Sequence, residues 1–144
     1  MQIQPPYLLF LGDASDPLTV KTSRGVAEWR PEKCIGEHKL PDCALSLGLP
    51  AMSIQEAAEK GAKTFIIGLA NRGGSISENW LPSILEALSS GLDIASGLHQ
   101  KLADVPAIRE AADKHGRQLF DVRHCTQRFD VGTGKKRSGK RLLA

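Results

Sequence analysis

Five short apolar segments recur along the chain at intervals of about 25 to 31 residues, and this spacing constrains the fold more than any other feature. The segments cover residues 7–11, 33–36, 64–69, 92–96 and 119–122. The third contains the uninterrupted run Phe65-Ile66-Ile67, as expected of a strand that is covered on both faces. Each interval leaves room for one crossover helix between parallel strands. The pattern therefore predicts strands that alternate with helices.

The segments between these strands carry helix signals. Ser53 and Glu56 have the spacing of a capping box, and a stop signal follows at Gly61. Segments 81–91 and 104–116 place apolar side chains on one stripe and end at a glycine. A first helix is predicted around residues 21–29, although Gly25 lowers its helix propensity. The sequence thus predicts an α/β fold, a Rossmann-like three-layer sandwich of about five mostly parallel strands with helices on both faces.

Composition and charge divide the protein into two parts. The 144 residues are 41% hydrophobic and 24% charged, which is typical of a globular domain, and no apolar run reaches the roughly 18 residues of a membrane span. Residues 123–144 carry a net charge of +6, whereas the rest of the chain carries −3. We therefore predict one domain over residues 1–125 and a basic linker over 126–144. Three cysteines cannot all pair within one chain, so reduced thiols in a cytoplasmic protein are expected. No membrane partner is expected, because no apolar run is long enough to span a membrane.

Several familiar ligand-binding patterns are incomplete. Cys34, His38 and Cys43 match no common zinc spacing, so no metal site is predicted. Residues 12–14 read Gly-Asp-Ala where a dinucleotide fingerprint would need its glycines, which argues against NAD. Residues 134–141 fit G-x4-G-K, but an arginine stands where a phosphate loop needs Ser or Thr. This basic segment lacks interleaved aromatic residues, so a solvated linker is favoured and nucleic acid is not expected as a partner.

Candidate site residues follow from the predicted sheet, because ligands of open parallel sheets bind at the carboxyl ends of the strands. The loop after the third strand contains Arg72, Gly73 and Gly74, whose guanidinium and exposed amides suit an anion. The alternative is that these glycines only shape a turn. Lys21 and Thr22 open the first predicted helix, where they could hold an anion or act as a solvated side chain and a cap.

The other strand exits add four candidates: Asp13, Ser96, His99 and Arg123. A histidine at a strand exit could act as an acid, a base or a ligand, yet it could equally bond only backbone groups. Asp13 could contribute to a site or shape the turn with the glycine that precedes it. These alternatives are open at the level of sequence.

Several spaced blocks resemble a known family. The blocks, which agree in order and cover most of residues 7–125, are Lys21-Thr22, Gly73-Gly74, 80–87, 91–99, 102–104 and 120–123. They resemble the N-terminal domain of a bacterial and archaeal family that was long known only as a domain of unknown function. Its characterised members are DgcN-type D-glutamate N-acetyltransferases.

This resemblance implies a Rossmann-like domain followed by a P-loop-type C-terminal domain, whose first strand would begin at Leu142-Leu143-Ala144. It implies acetyl transfer from acetyl-CoA, as co-substrate of the full-length protein, to the amine of D-glutamate. No cofactor is assigned to the present domain. The residues carried over from the matched blocks are Lys21, Thr22, Arg72, Gly73, Gly74, Ser96, His99 and Arg123, and the resemblance does not say which of them is catalytic. Because acetyl transfer needs a group that takes the proton of the amine, we predict His99 as the proton acceptor and the other seven as substrate-binding residues. An amino acid is the expected ligand, and a homo-oligomer is expected.

Two other interpretations compete with an amino-acid site. The domain could be a non-catalytic scaffold that forms the oligomer while the C-terminal domain performs the chemistry. Alternatively, the basic tail could bind nucleic acid, which would give a steep dependence of binding on salt.

Overall fold

A computed structural model describes residues 2–124. Five parallel strands form one sheet in the order β2-β1-β3-β4-β5. Their bounds are Tyr7–Gly12 (β1), Cys34–Lys39 (β2), Thr64–Ile67 (β3), Asp93–Ser96 (β4) and Leu119–Asp121 (β5). The strand order reverses direction between β1 and β3, so the carboxyl ends of these two strands border the crevice in which such sheets bind ligands.

Within residues 2–124, four α-helices connect the strands. They are α1 (Lys21–Trp29), α2 (Ile54–Glu59), α3 (Leu81–Ser89) and α4 (Pro106–His115). The predicted capping box is present: the Ser53 hydroxyl accepts from the Glu56 N–H at 3.1 Å, and the Glu56 carboxylate accepts from the Ser53 N–H at 2.7 Å. Helix α4 ends at Gly116 in the left-handed conformation, as its stop signal indicated.

The helices cover both faces of the sheet. Side chains of α2, α3 and α4 pack with Leu8, Phe10, Phe65, Ile67 and Ile94 in the larger core. On the opposite face, Val26 and Ala27 of α1 pack against a smaller cluster built from Leu9, Ile66, Ala95 and Phe120. Successive residues of one strand point to opposite faces, which accounts for the division between the two clusters. The predicted Rossmann-like α/β sandwich is confirmed.

Two strand ends differ from the sequence prediction by two residues or more, each for an identifiable reason, and the other strand bounds agree within one residue. Strand β2 continues three residues past Gly36 through a polar segment, because Glu37 is 1% exposed and its carboxylate accepts the Leu47 N–H at 2.7 Å. Strand β3 ends at Ile67 rather than at residue 69. Its continuation bonds instead to the first helical region, since the Gly68 carbonyl accepts from the Ser23 N–H at 3.0 Å.

The predictions for residues 126–144 lie outside the described residues, including the basic linker and the start of a second domain. Within residues 2–124, no helix has the length and apolar character needed to cross a membrane.

Candidate functional site

The glycine loop after β3 is closed by the side chain of Asn71. The Asn71 side-chain amide donates to the Ser75 carbonyl at 2.9 Å and to the Ser77 hydroxyl at 3.1 Å, and its oxygen accepts the Ser75 N–H at 3.0 Å. Gly73 and Gly74 form the turn between these points with φ of +94° and +61°. Both values lie in the region that favours glycine, so the paired glycines allow this loop geometry.

The loop after β4 lies against the loop after β3. The Gln100 N–H donates to the Gly74 carbonyl at 3.0 Å, and the Gln100 side-chain oxygen accepts the Ile76 N–H at 2.8 Å. The imidazole ring of His99 lies directly over Gly74, where a Cβ atom would overlap it. The absent side chain at Gly74 therefore provides the space that His99 occupies.

The residues after β5 complete the same edge of the sheet. The His124 ring donates from Nε2 to the His99 carbonyl at 2.8 Å, and the Asp121 carboxylate accepts the Leu102 N–H at 2.9 Å. These two bonds fix the segment that carries Arg123 beside the loop that carries His99.

The three loops enclose a cavity of about 460 Å³. His99 and Arg123 line it together with Ala70, Asn71, Gly73, Gly74, Gly97 and Leu98. Among residues 2–124, its charged or titratable lining side chains are therefore a histidine and an arginine, with no acid. Such a lining suits an anionic group, because a guanidinium can hold a carboxylate with two parallel hydrogen bonds.

A second cavity of about 160 Å³ lies next to the first, and the two share Ala70 and Asn71. Its other lining residues come from the segment after β1, the exit of β3 and the residue before α3: Asp13, Ala14, Ser15, Thr19, Leu69 and Trp80. The smaller cavity therefore occupies the point where the strand order reverses. The two cavities therefore adjoin each other along the carboxyl edge of the sheet, with Ala70 and Asn71 lining both.

The structure gathers four of the nine candidate residues around the larger cavity, Gly73, Gly74, His99 and Arg123, and Asp13 lines the smaller cavity. Ser96 lies beneath it, 2% exposed, and its hydroxyl accepts the Leu98 N–H at 3.1 Å, which shapes the turn before His99. Arg72 is exposed in the glycine loop without lining either cavity.

Lys21 and Thr22 are not brought to this cavity. Lys21 is exposed at the start of α1, and Thr22 lines a separate groove under the same helix, with Tyr7, Trp29 and Ile66. The two residues lie apart because successive positions of a helix are about 100° apart around its axis. A joint anion site of Lys21 and Thr22 with the glycine loop therefore has no support from the geometry.

Two further residues contribute to the site: Asn71, which lies in the predicted glycine loop, and Trp80, which was not among the predicted site residues. Asn71 lines both cavities and closes the glycine loop, and Trp80 forms a wall of the smaller cavity while its indole N–H donates to Asp13 at 2.8 Å. The position of Asn71 just after β3 was the available signal, since the carboxyl end of a central strand is where ligands bind. Trp80 carried no such signal, because it lies well beyond the strand exit, next to α3.

The cysteines and histidines of the β2 region form no cluster that would hold a metal. Among residues 2–124, no three His, Cys, Asp or Glu side chains come together as potential ligands. The Cys34 thiol instead lies near the carbonyls of Val26 and Arg30, and partial burial raises its pKa. A raised pKa disfavours the thiolate that metals and electrophiles require.

The parallel sheet and the two cavities at its carboxyl edge define a Rossmann-like α/β domain with a candidate ligand site at the strand ends. Residues 38–125 match the family described as Domain of unknown function (DUF1611_N), Rossmann-like domain. The match covers more than half of the chain, and the chain belongs to this family.

Two curated relatives are similar along almost the whole chain. A protein of Pseudoalteromonas sp. is 50% identical over 143 residues and one of Tritonibacter scottomollicae is 48% identical over 142, in each case 99% of this chain. Both carry the name D-glutamate N-acetyltransferase. The chain spans 43% of the length of each.

A solved structure of a DUF1611 family protein from Anabaena variabilis has the same fold, with a TM-score of 0.73. The likeness covers 91% of this chain and 40% of that one at 22% sequence identity.

Proposed function

We propose that this chain is the amino-acid-binding part of an N-acetyltransferase that transfers the acetyl group of acetyl-CoA to the amine of D-glutamate. The observation that carries the proposal is the 50% identity, over 99% of the chain, to a protein named D-glutamate N-acetyltransferase. The lining of the larger cavity supports it, because D-glutamate has two carboxylates and the described residues that line the cavity include an arginine and a histidine but no acid.

In this reaction the substrate nitrogen attacks the thioester carbonyl of acetyl-CoA. A C–N bond forms, the C–S bond breaks, coenzyme A leaves as the thiolate, and the proton lost by the amine passes through a base or water to that thiolate. His99 is the proposed proton acceptor, since a neutral imidazole can take a proton near neutral pH and this ring lines the cavity. Arg123 is the proposed ligand of a substrate carboxylate.

The other predicted substrate contacts divide into two groups. Gly73 and Gly74 keep the backbone close to the cavity, so a substrate carboxylate could approach their segment. Contacts of substrate with Arg72, Ser96, Lys21 and Thr22 stay predictions. We assign the binding of acetyl-CoA to the remaining part of the full-length protein, in line with the expected P-loop-type domain, and a cytoplasmic homo-oligomer is part of the same proposal.

Isothermal titration of the protein with D-glutamate tests the proposal. We expect binding that weakens at least tenfold in Arg123→Ala, because the substrate carboxylate loses a charge-assisted partner worth roughly 1.5–3 kcal/mol. Arg109→Ala is the matched control, since Arg109 is an exposed arginine of α4 outside both cavities. Absence of heat at millimolar D-glutamate, with tight binding by a full-length relative, would contradict a substrate site in this domain.

The scaffold interpretation predicts that turnover is unchanged when His99 is replaced, whereas the proposed function predicts that turnover falls. In a full-length enzyme that contains this domain, His99→Ala lowers turnover by orders of magnitude if His99 accepts the proton. His115→Ala, at the exposed end of α4, controls for the loss of a surface imidazole. Unchanged turnover in the His99 variant would favour a scaffold.

A further inference from the structure

Asp13 is held in a fixed position at the carboxyl end of β1. Its two carboxylate oxygens accept from the Trp80 indole N–H and from the Asn79 amide, each at 2.8 Å. Gly12 makes this close approach possible: a Cβ there would lie 2.9 Å from Leu69 Cδ1 and 3.0 Å from Trp80 Nε1, and its φ is +54°. Glycine at position 12 is therefore favoured both by the backbone conformation and by the lack of space for a side chain, and this turn positions the Asp13 carboxylate.

The Asp13 carboxylate carries a charge that no cation neutralises within residues 2–124. The hydrogen bonds from Trp80 and then from Asn79 hold its pKa below the usual 3.8. The ion pair found among the described residues is Arg30 with Glu32, far along the sequence from this turn. Since Asp13 is exposed and each of its oxygens accepts one bond, the carboxylate can accept further hydrogens from a ligand.

The position of this carboxylate relative to the larger cavity is informative. Asp13 lines the smaller cavity, which shares Ala70 and Asn71 with the cavity lined by His99 and Arg123. The two adjoining cavities therefore present the carboxylate of Asp13 and the guanidinium of Arg123 along the same edge of the sheet. An amino acid carries the complementary charges, because its ammonium group can pair with a carboxylate and its carboxylates can pair with a guanidinium.

We propose that Asp13 binds the ammonium group of the amino acid and so makes the site select amines over plain carboxylic acids. The assignment rests on the proposed function, and it adds a residue that recognises the reacting nitrogen. Hydrogen bonding to Trp80 and Asn79 does not by itself require a negative charge here, because both donors are neutral groups. A carboxylate with two oxygens at the cavity wall adds a charge that the indole does not require.

The charge state of Asp13 also defines its role. A carboxylate with a lowered pKa is a weak base, so Asp13 positions the ammonium group and does not remove its proton. Deprotonation of the nitrogen then falls to another group, for which His99 is the proposed acceptor. Asp13 is thus a binding residue whose loss weakens ligand affinity.

Titrations with D-glutamate and with glutarate, the same diacid without the amine, test this assignment. The unchanged protein binds D-glutamate more tightly than glutarate. In Asp13→Asn the affinity for D-glutamate falls roughly ten- to a hundredfold, as expected for a lost charge-assisted bond, while that for glutarate is unchanged or rises. Asp113→Asn, at an exposed aspartate of α4, is the matched control and leaves both affinities unchanged.

The possible outcomes separate this assignment from the proposed function. Binding of both ligands with the same D-glutamate preference in Asp13→Asn overturns the role of Asp13 and leaves the proposed function standing. Equal affinity of the unchanged protein for D-glutamate and glutarate also overturns the role of Asp13. This comparison needs no variant, so it remains decisive even if Asp13→Asn does not fold. Binding of neither ligand contradicts both the proposed function and the Asp13 assignment.

Discussion

The imidazole ring of His99 rests on the backbone of Gly74, in the space that a Cβ atom at that position would fill. The two residues belong to loops that follow neighbouring strands, and the Gln100 N–H joins these loops by donating to the Gly74 carbonyl at 3.0 Å. Gly74 therefore has two separate requirements for glycine: its left-handed backbone and the ring above it.

These two requirements can be separated by substitution. Gly74→Ala and Gly116→Ala both place alanine at φ +61°, but only Gly74 has the His99 ring within contact, and nothing lies within 4 Å of the site of a Cβ at Gly116. Each change should cost about 1–2 kcal/mol of unfolding free energy for the backbone strain. Gly74→Ala should lower the free energy of unfolding more than Gly116→Ala does, as measured by urea unfolding. It should also weaken the binding of D-glutamate, as measured by titration. Equal losses in stability would contradict a steric role of His99.

The buried hydroxyl of Ser23 has no hydrogen-bond partner among the described residues. Its oxygen lies against Gly68, where a Cβ atom would overlap it. We expect Ser23→Ala to raise the free energy of unfolding by about 1 kcal/mol, because it removes an unpaired buried hydroxyl and improves helix propensity within α1. Urea unfolding provides the measurement.

Thr64→Val is the matched control for Ser23→Ala. Thr64 is equally buried, but its hydroxyl donates to the Gln4 carbonyl at 2.8 Å. Removal of this paired hydroxyl should lower stability by about 1 kcal/mol. A loss of stability in both variants would mean that Ser23 has a partner, such as a buried water molecule.

The hydrogen bonds to Asp13 link stability to acidic pH. The folded state lowers the Asp13 pKa below 3.8, so its contribution to stability is present above about pH 4 and is lost as pH falls through the folded value. Asp13→Asn should therefore flatten the loss of stability below about pH 4. The effect is small, because solvent screens an exposed carboxylate. In Trp80→Phe, NMR titration should show the Asp13 pKa moving up toward 3.8, and an unchanged value would contradict the assigned cause.

The sequence was sufficient to predict the elements of the fold but not their order. Strand β3 was recognisable from Phe65-Ile66-Ile67 because a strand covered on both faces is apolar at every position. The polar second half of β2 was missed, since Glu37 is buried only through its bond to the Leu47 N–H, a contact between distant residues. Strand order depends on such contacts throughout, and periodicity along the sequence does not report them.

The candidate site was predictable to a similar degree. The rule that ligands bind at the carboxyl ends of parallel strands led to Gly73, Gly74, His99 and Arg123, which the structure gathers around one cavity. The same rule placed Thr22 at the site, but the rotation of α1 turns this residue toward another groove. The direction of a helical side chain depends on how the helix packs, which a local motif does not determine.

The location of β1 between β2 and β3 has a consequence for biosynthesis. Strand β1 leaves the ribosome before the other four strands, yet the second of its two neighbours, β3, is complete only at Ile67. The nascent polypeptide must therefore keep the apolar residues of β1 from premature association until almost half of the present sequence has been translated. Parallel neighbours cannot be joined by a short hairpin, so the pairing of β1 depends on contacts between residues that are distant in sequence. We therefore expect this domain to fold late and cooperatively.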